Sequence, residues 1–240
     1  MSIENQVLVI DAGNTIIKIA RFINGVLATV ERTTLPEFEN FIKENEISEA
    51  VISSVLSEKE TATITQYFKS PLLVSNQSKL PISLNYHSPE TLGIDRICNA
   101  VYASKQIEKG FALTIDIGTC IKFDLVKANG EYLGGSISPG LALRYKSLHD
   151  YTSELPLISE KSKTELLGKD TNSSIHSGVI NGINAEIYRL MEQYSAQFED
   201  LTFFVTGGDA RCFDIHSKND IFAVENLTLL GLYEIYVFNA

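Results

Sequence analysis

The stretch Asp11-Ala-Gly-Asn-Thr-Ile-Ile-Lys18 constrains this chain most, because its pattern returns in the second half. It follows Val7-Leu-Val-Ile10, an apolar run that reads as a buried strand ending in a turn. The run from Ile16 to Ile23 reads as a second strand, and Asn24-Gly25 is a tight hairpin signal. Further on, Ala112-Leu-Thr-Ile115 leads into Asp116-Ile-Gly-Thr119, then Cys120 to Val126, then Asn129-Gly130. Each Asp lies two residues before a Gly and 13 before an Asn-Gly pair. An isolated Asp-x-Gly arises easily by chance, but the same flanking strands and second turn seldom come with it. The pattern predicts an internal duplication of a hairpin-bearing α/β domain, with both turns facing a common cleft.

Such a turn has a definite chemistry. Gly13 and Gly118 let the backbone approach a ligand closely, and free N–H groups in a tight turn cradle phosphate oxygens. Thr15 and Thr119 add hydroxyls, and Lys18 adds a positive charge. An Asp carboxylate at the strand end can hold the hydrated metal ion that accompanies phosphates. Taken singly, each turn also fits a plain hairpin with a capping Asp.

A chain of 240 residues suits one large or two modest domains, and a hydrophobic fraction of 44% suffices for their cores. The formal net charge of −10 argues against a nucleic-acid surface but leaves room for small anionic substrates at a local positive site. No apolar run reaches the ~18 residues of a membrane span, and Met1-Ser-Ile-Glu-Asn lacks the features of a signal peptide. Cys98, Cys120 and Cys212 follow no metal-binding spacing and read as buried free thiols in a reducing cytoplasm.

Pro36 suits the first turn of a helix with Phe38, Phe41 and Ile42 on its apolar face. Ala50 to Val55 reads as a strand, and Ser57 with Glu60 forms a capping box for a helix reaching about Phe68. Leu72 to Val74 reads as a short strand, and Ser75 to Ser88 as a polar loop. The spacing of Ile94, Ile97 and Val101 predicts a helix ending at Lys109-Gly110, which puts Asp95 and Arg96 at its start. A carboxylate there is favoured in its ionised form and can serve as general base for a substrate hydroxyl, with positioning supplying most of the help. It can equally be a cap or a partner of Arg96.

The second domain is expected from Phe111 on, giving domains 1–110 and 111–240. Gly134, Gly135, Pro139 and Gly140 fit either a loop close to a ligand or a strand and turn before a helix at Leu141 to His149. Asp150 to Asn172 is polar, and Thr171-Asn-Ser-Ser174 precedes a long helix whose apolar face runs from Val179 to Phe198. His176 reads as a cap or surface group. Leu201 to Val205 reads as a buried strand entering Thr206-Gly207-Gly208, which fits a flat ligand such as a nucleobase or an ordinary turn. Asn226 caps a terminal helix through Phe238.

The ordered set Asp11-x-Gly-Asn-Thr-x-x-Lys18, Gly93-Ile-Asp-Arg96, Asp116-x-Gly-Thr119 with Asp124, Gly134-Gly-Ser-Ile-Ser-Pro-Gly140 and Thr206-Gly-Gly208 resembles the type III pantothenate kinases, over almost the whole chain. The resemblance implies two ribonuclease-H-like (actin-like) domains with mixed sheets flanked by helices and the active site in the cleft between them. It implies ATP-dependent phosphorylation of pantothenate to 4′-phosphopantothenate, the first step of coenzyme A biosynthesis, by a cytoplasmic homodimer. It also implies ATP with Mg²⁺ or another divalent ion, and a monovalent cation, K⁺ or NH₄⁺. Carried over by position, Asp11, Gly13, Asn14, Thr15 and Lys18 would bind the ATP phosphates, with Asp11 also holding the divalent ion. Thr119, Gly207 and Gly208 would contact the nucleotide. Asp95 would take the proton of the pantothenate hydroxyl, Tyr86, Gly93, Ile94, Arg96 and Thr171 would hold the substrate, and Asp116 would ligate the monovalent cation.

Two positions depart from the family pattern. Thr-Cys-Ile-Lys follows Gly118 where small and hydroxyl residues are usual, and a Lys122 directed into the cleft would alter the cation dependence. Ile94 stands where Ala is usual. Another kinase or phosphatase of the same fold would not combine Tyr86 with Gly93-Ile-Asp-Arg96. A non-catalytic, transcription-accessory relative would be expected to lose Asp11, Asp95 or Asp116, and all three are present.

Overall fold

The computed structural model describes residues 5–44, 49–213, 215 and 221–240. Strands β1 (Gln6–Ala12), β2 (Ile17–Ile23) and β3 (Val26–Thr33) form an antiparallel meander. Asn24 and Gly25 turn the second corner with φ of 49° and 85°, the left-handed pair that matches the strand twist. Strand β4 (Glu49–Ser54) runs parallel to β1, and β5 (Leu72–Leu73) parallel to β4, giving the order β3-β2-β1-β4-β5. Helix α1 (Leu35–Glu44) and helix α2 (Glu58–Thr65) cover one face. There Leu8, Ile10, Ile17, Ile19 and Ile52 pack with Phe38 and Ile64 in one core. The capping box of α2 forms as expected, with Glu60 N–H donating to Ser57 Oγ at 3.3 Å and Ser57 N–H to the Glu60 carboxylate at 3.1 Å. The helix stops at Thr65, short of Phe68.

Ser75 to Ser88 is not wholly loop: Ser83–Leu84 is a short strand, β6. Helix α3 (Ile94–Lys105) begins where expected and ends a turn before Lys109. The second sheet starts with the meander β7 (Phe111–Ile117), β8 (Cys120–Lys127) and β9 (Glu131–Pro139). Of the two readings of Gly134 to Gly140, the strand is correct. Strand β10 (Leu201–Thr206) is parallel to β7, and β11 (Ile221–Ala223) is parallel to β10. The order is β11-β10-β7-β8-β9-β6. Without β6 it repeats the first sheet strand for strand, including the change from antiparallel to parallel pairing. The duplication expected from the two Asp-x-Gly turns is thus present in the topology.

Helix α4 (Leu141–Asp150) and the long helix α5 (Thr171–Gln197) cover this sheet, with Ile183, Ile187 and Met191 buried against Ile115, Ile121 and Phe123. Asp170 is the cap of α5, so Thr171 is its first residue instead of preceding it. His176 is buried, not on the surface: the Tyr145 hydroxyl lies 2.6 Å from its Nδ1, and burial pushes the Tyr145 hydroxyl up to about 12.

Helix α6 (Leu227–Asn239) packs on β1, β2 and β4, although it follows the second sheet in the chain. Its Thr228 hydroxyl donates to the buried Asn99 Oδ1 at 3.0 Å, and Tyr233 stacks on Phe22. The compact units are therefore Met1–Ser83, His87–Tyr102 and Leu227–Ala240 in one, and Leu84–Tyr86 with Ala103–Asn226 in the other. A single break after residue 110 does not describe this packing, because α6 returns to the first sheet.

One buried polar pair ties β8 to β9. The Tyr132 hydroxyl donates to Asp124 Oδ1 at 2.7 Å, and both residues are fully enclosed. Tyr132→Phe removes a donor from a carboxylate that water does not reach, and is expected to lower stability by about 1–3 kcal/mol. The check is a lower urea midpoint at unchanged slope.

Candidate active site

In open α/β sheets, ligands bind beyond the carboxyl ends of the parallel strands, and the chain places its acidic turns there in both units. In the first, Asp11 is the last residue but one of β1, in register with Ser53 of β4 on one side and Lys18 of β2 on the other. The Ser53 hydroxyl donates to Asp11 Oδ1 at 3.0 Å. The turn that follows is closed by Gly13 N–H donating to the Ile16 carbonyl at 3.2 Å, with Asn14 and Thr15 exposed at its tip. Ser53 was not singled out from sequence. Its signal was a hydroxyl at the end of a β-branched strand.

Asp95 stands in the first turn of α3, half-buried, and its Oδ1 accepts the Arg96 backbone N–H at 2.9 Å. Arg96 is buried. A Cβ added to Gly93 would come within 2.5 Å of the same Oδ1, so only Gly leaves the carboxylate where it is. Burial raises the Cys98 thiol well above its ordinary range, and the charges of Asp11 and Asp95 raise it further. The first unit thus carries both Asp11, at the end of β1, and Asp95, at the start of α3.

In the second unit Asp116 holds the corresponding place on β7, in register with Lys122 of β8 and Thr206 of β10. Lys122 Nζ meets Asp116 Oδ2 at 2.7 Å, with side-chain exposures of 17% and 14%. Lys122 thus points at the acidic strand end. Gly118 N–H donates to the Cys120 carbonyl at 3.1 Å, and Thr119 is exposed beside it. Beyond Thr206 the chain turns against the end of β7, where Asp209 N–H donates to the Ile117 carbonyl at 2.9 Å. Gly207 has φ +105° and no room for a Cβ against Ile117, whereas a Cβ on Gly208 would meet nothing within 4 Å. Lys161 pairs with Asp209 at 2.5 Å, an ion pair that sequence did not suggest.

Tyr86 lies edge-on to Tyr132, with ring centroids 5.9 Å apart. Thr171 is exposed and borders a groove with Arg144, Ser147 and Leu148 of α4. Its neighbours in that groove belong to the helical layer of α4 and α5. Among the described residues, no group of three or more His, Cys, Asp or Glu is placed to hold a metal ion. One carboxylate such as Asp11 fits a divalent ion of the Mg²⁺ type, which keeps its waters and takes most of its ligands from substrate phosphates. Among the described residues, no helix is long and apolar enough to cross a membrane.

The family model for type III pantothenate kinase matches residues 7–193. The type III pantothenate kinase of Christiangramia forsetii is 42% identical, over 97% of this chain and 98% of that protein. The chain belongs to the type III pantothenate kinase family. Among solved structures, a Baf family protein of Campylobacter jejuni, whose name proposes a transcriptional activator, superposes with a TM-score of 0.62 at 22% identity, covering 97% of this chain and 98% of that one. MreB 5 of Spiroplasma citri, solved with AMPPNP, gives 0.50 at 9% identity over 98% and 95%. At these identities the two structures speak for the actin-like fold alone. The match to the type III pantothenate kinase model ends within α5, whereas the likeness to the Christiangramia protein spans nearly the whole chain.

The two adjacent glycines make a paired test. Gly207→Ala forces a Cβ onto a positive-φ residue packed against the Ile117 backbone, and is expected to cost about 1–3 kcal/mol of stability. Gly208→Ala faces open space and is expected to leave the melting temperature unchanged. If the loop touches nucleotide, Gly208→Ala raises the KM for ATP, which steady-state kinetics will read.

Proposed function

We propose that this chain transfers the γ-phosphoryl group of ATP to pantothenate, giving 4′-phosphopantothenate and ADP, the first step of coenzyme A biosynthesis. Membership of the family along nearly the whole chain carries the substrate. The Asp11 and Asp95 geometry agrees with the chemistry. Phosphoryl transfer asks for alignment and charge neutralisation more than for covalent chemistry.

The pantothenate hydroxyl oxygen bonds to Pγ as the bond from Pγ to the bridging oxygen of ADP breaks, and the hydroxyl proton passes to the Asp95 carboxylate. The Arg96 N–H fixes that carboxylate, and Gly93 leaves it space. Asp11 would hold the divalent ion that travels with ATP, which supplies charge neutralisation on the phosphates. Gly13, Asn14 and Thr15 offer turn N–H groups and a hydroxyl to the phosphates, and Lys18 a counter-charge. Thr119, Gly207 and Gly208 contact the nucleotide. Tyr86, Gly93, Ile94, Arg96 and Thr171 hold pantothenate. The protein acts as a homodimer in the cytoplasm, where its free thiols stay reduced.

The resemblance also implies K⁺ or NH₄⁺ on Asp116. That carboxylate already meets the Lys122 ammonium. The ammonium occupies the carboxylate oxygen that a free ion would take.

The test is ATP turnover with pantothenate. Asp95→Asn is expected to lower kcat by about 10²–10⁴-fold with ATP binding retained by calorimetry. Unchanged turnover in this variant would remove Asp95 as the base, and a folded wild type without pantothenate-dependent turnover would point to another hydroxylated substrate. Gly93→Ala, which displaces the same carboxylate without removing it, is expected to lower kcat while Asp95 stays in place.

A further inference from the structure

We propose that the Lys122 ammonium is a built-in monovalent cation at Asp116, so that this enzyme works without added K⁺ or NH₄⁺. The inference deepens the kinase reading and rests on it. Three observations carry it. The first is contact: Nζ lies 2.7 Å from Asp116 Oδ2, and both side chains are largely withdrawn from water. The second is register: Asp116 and Lys122 are direct cross-strand partners in β7 and β8, so the backbone holds the ammonium at the carboxylate. The third is place: Asp116 and Thr206 end two parallel strands, the position that Asp11 and Ser53 hold in the first unit.

The substitution is chemically conservative. An ε-ammonium and NH₄⁺ carry the same charge on the same kind of N–H donor, and a lysine delivers it as a compact point charge. A carboxylate near the phosphates of ATP needs a counter-charge in either case. A diffusible ion supplies it only when the ion concentration exceeds its dissociation constant, whereas the lysine supplies it in every molecule. A free cation added beside Nζ would face like-charge repulsion in a partly dehydrated site.

The experiment uses the full chain dialysed into a choline buffer free of K⁺ and NH₄⁺. Two readouts are taken against added K⁺, NH₄⁺ and Na⁺: pantothenate-dependent ATP turnover, and the melting temperature of the protein without substrates. Wild type is expected to turn over without K⁺ or NH₄⁺, to change by less than about twofold when either is added, and to show no K⁺-specific rise in melting temperature. Lys122→Ser is expected to lose about 10²-fold or more in cation-free buffer, to regain part of it with K⁺ or NH₄⁺, and to gain a K⁺-specific thermal shift. Lys122→Met keeps the apolar stem and serves if the serine variant does not fold.

Cation-specific stimulation or stabilisation of the wild type would overturn the proposal. So would a folded variant indifferent to K⁺ in both readouts. A wild type without turnover on pantothenate under any cation would strike the substrate assignment, and the melting readout would still decide the role of Lys122.

Discussion

Strand register is the constraint on which both acidic turns depend. Side chains alternate along a strand, so burying Leu8, Ile10 and Ala12 under α1 and α2 sends Asp11 to the other face of the sheet. The same holds for β7, where Leu113, Ile115 and Ile117 enter the core with α5 and Asp116 goes opposite. A slip of one residue would carry a carboxylate in among Phe38 and Ile64, or in among Ile183 and Ile187. Val7 and Val9 are buried on the opposite face of β1, so a slip would spoil the packing on both sides of the strand at once. The core thus fixes the aim of groups that it does not contain, and the site's geometry follows from packing several residues away.

This explains which parts were legible in the sequence. Apolar runs bounded by turns, Asn-Gly pairs and the Ser57–Glu60 box are local signals, and β1–β3, β7–β9 and α2 arose where those signals stood. Asp95 was legible because the spacing of Ile94, Ile97 and Val101 locates a helix start. The two-residue strand β6 was not, since two residues have no period. Nor was the partner of α6: a helix apolar on most sides announces burial but not which sheet it lies on. His176 misled for a related reason. A polar residue in the first turns of a helix usually faces water, and here partners distant in sequence, the Tyr145 hydroxyl at Nδ1 and Ser162 and Glu160 at Nε2, make its burial tolerable.

The two halves share a frame and differ in its electrostatics. At the end of β1 the carboxylate accepts a neutral hydroxyl from Ser53. At the end of β7 it meets an ammonium. A hydroxyl leaves the local charge negative, which suits a divalent ion carried with phosphates. An ammonium cancels that charge, which suits a place where phosphate must approach without any divalent ion. A fold shared with a protein such as MreB 5 says nothing of this division. It lies in residues on neighbouring strands of each sheet.

The Asp116–Lys122 pair also resists being read as a stabilising device. Cross-strand pairs of opposite charge contribute about 0.2–1 kcal/mol, and partial dehydration of both groups offsets much of their attraction. A well-packed apolar pair at these positions would stabilise the sheet about as well. What an apolar pair cannot do is place a fixed positive charge at the end of β7. Folding has already immobilised the lysine, so on the proposed reading no ion need be captured and ordered each time substrate binds. The same tether removes a control: a charge joined to the backbone cannot be diluted, and the pair's worth lies in the charge it places more than in the stability it adds.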